Sequence, residues 1–107
     1  MSIREVTVEE LETVLAQGAR LIDVREVDEY VAGHVAGALL VALSTVPDHV
    51  DEFRGDSVAY VICKSGGRSM RACEFLAANG IETINVAGGT MAWVMSGRPV
   101  VDGDQPT

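Results

Sequence analysis

The sequence predicts an α/β domain, a mainly parallel sheet covered by helices on both faces. Three observations carry that expectation. Short apolar runs alternate with helix-period patterns about five times along the chain. The run Ser57-Val58-Ala59-Tyr60-Val61-Ile62 is continuously apolar and β-prone, as suits a strand buried on both faces. The length of 107 residues, with 48% hydrophobic and 22% charged residues, suits a single globular core.

The elements follow in order. Residues 3–6 read as a first strand. Thr7 then opens a helix, with Glu10 three positions on in capping-box spacing. Val8, Leu11, Val14 and Leu15 share one helical face, and Gly18 closes the segment. Residues 20–24 form the next strand and 27–32 a short helix. Residues 38–42 read as a third strand, and 46–53 as a short helix opening at Pro47. After the strand at 57–62, a helix spans 69–79, with Ala72, Cys73, Leu76 and Ala77 on one stripe and Gly80 as its stop. A strand at 83–86 and a helix at 90–95 complete the series, ended by Gly97-Arg98-Pro99. One domain therefore occupies residues 1–101, and 102–107 reads as a flexible acidic C-terminal tail.

Charge and composition exclude several function classes. Sixteen acidic against eight basic residues leave a net charge of −8, which disfavours binding to nucleic acid or anionic membranes. No apolar run approaches the ~18 residues of a membrane span, and Met1-Ser2-Ile3-Arg4-Glu5 lacks the pattern of a secretory leader. The two cysteines, Cys63 and Cys73, are too few for a disulfide scaffold. The expectation is a cytoplasmic protein with reduced thiols.

The chemistry concentrates in one segment. Between Ser57 and Cys73 there is no acidic residue, yet Lys64, Arg68 and Arg71 lie there. Cys63 falls at the carboxyl end of the apolar strand, where open α/β sheets bind ligands. Lys64, Ser65, Gly66, Gly67, Arg68 and Ser69 follow it and lead into a helix. The glycine pair lets several backbone N–H groups turn inward, and the helix N-terminus adds partial positive charge. Such a cradle holds an anion and acidifies a thiol. An unperturbed cysteine is only about 3% ionised at pH 7. Lowering its pKa by ~2 units requires about 2.7 kcal/mol of preferential anion stabilisation. A helix N-terminus contributes ~0.3–2 kcal/mol, and Lys64 and Arg68 are placed to supply the rest. Cys63 is thus expected to be reactive, against the alternative of a buried structural thiol. Cys73, on the apolar stripe, is expected to be core.

At this point the residues are recognisable. Cys63-Lys64-Ser65-Gly66-Gly67-Arg68-Ser69 resembles the active-site loop of single-domain rhodaneses, a family of sulfurtransferases. Leu21-Ile22-Asp23-Val24-Arg25-Glu26, Glu29-Tyr30, Gly33-His34-Val35 and Gly37-Ala38 resemble its amino-terminal signature. Val86-Ala87-Gly88-Gly89, Ala92-Trp93, Gly97 and Pro99-Val100 resemble its carboxyl-terminal one. The resemblance spans about residues 3–100. It implies a rhodanese-like, five-stranded sheet with helices on both faces and a sulfurtransferase working through a persulfide on Cys63. The donor would be thiosulfate or a persulfide, and the acceptor a thiol or cyanide. The loop amides of residues 64–69 would stabilise the persulfide, and Lys64 and Arg68 would attract an anionic donor. No cofactor or metal is implied, and a monomer is the family's usual state. The alternative within the resemblance is a persulfide carrier serving a dedicated sulfur-relay partner.

Four residues separate Cys63 from Arg68, one fewer than in rhodanese-like phosphatases, so the loop suits a single sulfur better than a tetrahedral oxyanion. Asp23 and Arg25 are expected to brace the loop, with direct substrate contact as the other use. His34 reads as structural, His49 as exposed and Trp93 as core. Gly88-Gly89 permits a tight turn and is a candidate wall of the cysteine pocket. The acidic groups Glu9/Glu10/Glu12 and Asp48/Asp51/Glu52 read as solvated faces, or else as docking sites for a basic partner.

Overall fold

Five short strands make one sheet in the computed structural model, which describes residues 2–107. They are β1 (Arg4–Val6), β2 (Arg20–Asp23), β3 (Leu39–Leu40), β4 (Ala59–Ile62) and β5 (Thr83–Val86), in the order β1-β5-β4-β2-β3. Every pairing is parallel. The helices are α1 (Val8–Ala16), α2 (Val27–Ala32), α3 (Gly67–Ala78) and α4 (Gly89–Met95). The chain is an α/β domain with helices on both faces, as the alternating pattern predicts.

Strand alternation divides the core in two. Ala59, Val61 and Cys63 join Ala72, Cys73 and Leu76 of α3 under the short turns at 43–53. On the other face Leu21, Ile62, Ile84 and Val86 pack with Leu11, Tyr30 and Trp93 from α1, α2 and α4. β4 lies at the centre with ladders on both edges, so its carboxyl end is fixed from two sides. The Thr7 capping box forms as predicted: the hydroxyl accepts from Glu10 N at 3.1 Å, and Glu10 Oε1 accepts from Thr7 N at 2.9 Å.

Three local expectations fail. The helix expected at 46–53 is two 3₁₀ turns, Leu43–Asp48 and Val50–Phe53. Pro47 offers no N–H, and the i→i+3 bonds from His49 N to Val46 O and from Glu52 N to His49 O replace α-helical ones. The strand expected at 38–42 is regular only over Leu39 and Leu40, with one further bond to β2 from Val41 N to Asp23 O at 2.9 Å. Residues 102–107 are not a free tail. Gly103 N donates to Val31 O at 2.9 Å and Gly37 N to Pro106 O at 2.9 Å. His34, fully buried and stacked on Tyr30 at 3.6 Å, has Nδ1 2.8 Å from Tyr30 O and Nε2 3.2 Å from Pro106 O. The acidic composition misled because these contacts are made by backbone, which composition does not report.

Deleting residues 102–107 removes these bonds and exposes His34. At about 1 kcal/mol per hydrogen bond, urea denaturation should show a loss of roughly 1–3 kcal/mol. An unchanged midpoint would mean that the segment contributes nothing to the fold.

Candidate active site

Cys63 is the residue immediately after β4, and α3 begins at Gly67. The loop is therefore shorter than expected: residues 63–66 turn the chain, while Gly67, Arg68 and Ser69 already form the first helical turn. The turn is made at Gly66, whose φ of +110° is strained for any residue with a side chain. Its N–H donates to Cys63 Sγ at 3.1 Å, and the Ser69 hydroxyl lies 3.3 Å from the same sulfur. First-turn amides of a helix have no partner within the helix, which frees Ser69 N to face the sulfur.

These donors decide the ionisation. Burial disfavours the Cys63 thiolate, but the Ser69 hydroxyl and the amides of Ser69, Gly66 and Ser65 outweigh it, and the thiol pKa falls below its ordinary value. Cys73 lies in the same core cluster under the same burial, and its thiol is pushed up to about 11 because only Thr83 opposes the desolvation. Of the amides expected to face the sulfur across residues 64–69, those of Ser65, Gly66 and Ser69 favour the thiolate. Lys64 and Gly67 are exposed.

Behind the loop, Gly66 O accepts from Met70 N at 3.0 Å and from Asn85 Nδ2 at 3.3 Å. Asn85 Nδ2 also donates to Glu5 Oε2 at 2.8 Å, so β5 and β1 together hold the carbonyl of Gly66, the residue whose N–H meets the sulfur. Sequence reasoning missed Asn85 and Glu5. The available signal was an amide inside the otherwise apolar stretch Ile84-Asn85-Val86, since a buried amide requires partners. Gly88 and Gly89 both have positive φ, and a Cβ on Gly89 would sit 2.5 Å from Cys63 O. That contact lets Thr90 N and Met91 N donate to the carbonyls of Cys63 and Lys64, both at 2.8 Å. The glycine pair thus walls the loop.

The cations sit differently from expectation. Arg68 is not a free anion receptor: its Nη1 and Nη2 donate to Glu29 Oε1 and Oε2 at 2.8 and 2.9 Å. The bidentate bond from Arg68 holds the Glu29 carboxyl down to about 2, and Glu29 in turn raises the Arg68 guanidinium further. Arg25 and Asp23 form a second, buried pair with Nη2 2.9 Å from Oδ2, and Arg25 Nη2 also donates to Gly33 O at 2.8 Å. This is bracing geometry for both residues. Among the described residues, Lys64 has no carboxylate within 4.0 Å. Nor do three His, Cys, Asp or Glu side chains gather there into a group able to hold a metal.

A parallel α/β sheet that presents an acidified, amide-held thiol at the tip of its central strand defines a class of cysteine-loop domain. The family model for the Rhodanese-like domain matches residues 7–96, and the chain belongs to that family. It is similar to YtwF of Bacillus subtilis (34% identity, covering 92% of this chain and 98% of that one). It is also similar to a sulfurtransferase of Allochromatium vinosum (31% identity, covering 92% and 95%). The crystal structure of a rhodanese-related protein from Thermoplasma volcanium superposes with a TM-score of 0.84 at 31% identity, covering 92% of this chain and 97% of that one. No helix among the described residues is long and apolar enough to cross a membrane.

Loss of a hydrogen bond to a charged group costs about 1.5–3 kcal/mol, equivalent to roughly 1–2 pH units. Ser69→Ala should raise the Cys63 pKa by that amount, read from the pH dependence of iodoacetamide alkylation in a Cys73→Ala background. Asn85→Ala should move it in the same direction by less. A profile left unmoved by Ser69→Ala would show that the hydroxyl does not support the thiolate.

Proposed function

We infer that the protein is a sulfurtransferase whose nucleophile is Cys63. The observation that carries this is the pair of donors on its sulfur, Gly66 N at 3.1 Å and Ser69 Oγ at 3.3 Å, which favour an anion in a buried position. The sulfurtransferase named among its relatives, from Allochromatium vinosum, supports the same class.

In the first half-reaction the Cys63 thiolate attacks the outer sulfur of thiosulfate or a persulfide. A new S–S bond forms to Cys63, the donor's S–S bond breaks, and sulfite or a thiolate leaves with the electron pair. The product on the protein is a Cys63 persulfide anion, held by the donors that held the thiolate. In the second half-reaction a thiolate or cyanide attacks the outer sulfur, and Cys63 leaves as the thiolate. Neither half-reaction changes the electron count, so neither calls for a redox cofactor or a metal. Ser65, Gly66 and Ser69 stabilise the anion at each stage; Lys64 attracts the incoming donor. Gly67 and Arg68 form the first turn of α3 that aims Ser69, and Asp23 and Arg25 brace the neighbouring chain.

Incubation with thiosulfate or glutathione persulfide should add one sulfur atom to the chain, seen by mass spectrometry of the intact protein. Subsequent cyanide should release it as thiocyanate. Cys63→Ser should bring both signals to background, while Cys73→Ser retains them. Stoichiometric loading without turnover would mark a sulfur carrier for a partner protein, and full turnover in Cys63→Ser would remove Cys63 as nucleophile.

A further inference from the structure

The C-terminal segment docks on a histidine that faces more acceptors than a neutral ring can serve. His34 follows α2 and is fully buried, with Nδ1 2.8 Å from Tyr30 O and Nε2 3.2 Å from Pro106 O. Both partners are carbonyl oxygens, which accept and cannot donate. A neutral imidazole carries one N–H and one lone pair, so one nitrogen would turn its lone pair on a carbonyl. The imidazolium donates to both. Each carbonyl is held in place by a second donor: Tyr30 O accepts from Gly33 N at 3.2 Å, and Pro106 O from Gly37 N at 2.9 Å.

The charges around the ring point the same way. Tyr30 stacks on His34 at 3.6 Å, and the ionised groups that act on Tyr30 are Asp23, Arg25 and Asp104. Asp23 and Arg25 pair at 2.9 Å, so of the three Asp104, inside the C-terminal segment, keeps its charge uncompensated. On α2 itself Glu29 is taken by Arg68 and Asp28 is exposed, as is Asp102; residues 35–40 contain no ionisable side chain. Burial opposes a charge on the ring, while the two carbonyls and Asp104 favour it. His34 and Val101 also exchange two backbone bonds, both 2.8 Å, which do not depend on the charge of the ring. The proton therefore bears on the far end of the segment, where Gly103 N donates to Val31 O at 2.9 Å and Pro106 O meets the ring.

We propose that residues 103–106 form a proton-dependent strap, closed by the His34 imidazolium and released when the ring loses its proton. The shorter contact, to Tyr30 O, keeps the remaining N–H, and Nε2 then turns a lone pair on Pro106 O. Repelled there, Pro106 O also leaves Gly37 N, and the stacked Tyr30 and His34 rings open to water. The strap is closed on the acid side and opens as pH rises. Histidine is the side chain whose ordinary titration falls between pH 5 and 8, so the device works near neutrality. It is independent of the chemistry at Cys63.

The test is amide hydrogen exchange of the whole chain across the neutral range, corrected for the intrinsic pH dependence of exchange, beside nitrogen NMR spectra of the His34 ring. Protection of the Gly37 and Gly103 amides should fall roughly 10- to 100-fold, the equivalent of one hydrogen bond to a charged group. The fall should coincide with loss of the ring proton, and the Val101 amide should not follow it. Asp104→Asn, at an exposed position, should move the fall to lower pH. His34→Gln should leave protection at Gly37 and Gly103 flat with pH; if that variant does not fold, the titration of the unaltered chain decides. A ring that loses its proton with no change in protection overturns the strap. So does a ring whose charge stays constant from about pH 5 to about pH 9, beyond both ends of the ordinary histidine range.

Discussion

The structure depends on how one residue, Gly66, presents its two backbone groups. The Gly66 N–H faces Cys63 Sγ while its carbonyl faces Met70 N and Asn85 Nδ2. A buried thiolate has lost its hydration, and fixed dipoles must replace the water. If the Ser65–Gly66 peptide reversed, the Ser65 carbonyl would face the sulfur and repel the anion. The positive φ at Gly66 makes this orientation accessible, and β5 and β1 hold it through Asn85 and Glu5. Stabilisation of the sulfur therefore reaches across the sheet to strands that contribute no residue to the loop.

The ion pairs play a separate part. Glu29 accepts from Glu26 N at 3.0 Å as well as from Arg68, so one carboxylate ties the N-terminus of α2 to the first turn of α3. Arg68 depresses the carboxyl to about 2, so it stays ionised through the ordinary carboxylate range; its contribution to stability is full above the usual 4.5 and is lost as pH falls from there toward 2. Asp23 and Arg25 do the equivalent for the chain leaving β2. Guanidinium groups that look in sequence like anion receptors here hold elements in register, and the thiolate relies on uncharged donors.

Some of this was legible in the sequence and some was not. The alternation of apolar and amphipathic runs conveys the sheet, its parallel sense and the position of Cys63, because burial on both faces leaves a compositional trace. The Thr7–Glu10 capping box is legible because its partners are three residues apart. The Arg68–Glu29 pair spans 39 residues and the Asn85–Glu5 bond 80, and no local pattern encodes either. Residues 102–107 dock through their own backbone groups at Gly103 and Pro106, which carry no side-chain signature. α3 begins two residues before the expected 69, because a glycine N-cap at Gly66 permits the helix to start at Gly67, where the residue types resemble loop.

The two cysteines separate burial from reactivity. Both are almost completely buried and both lie in the same apolar cluster, so desolvation raises both pKa values. Cys73 sits within α3, where the backbone amides around it are committed to the helix, and it ends near 11. Cys63 sits just before α3, where the first amides of the helix have no acceptor of their own. That difference in position reverses the sign of the shift. A thiol sealed on its apolar side thus meets, on the other, the donors of Ser65, Gly66 and Ser69.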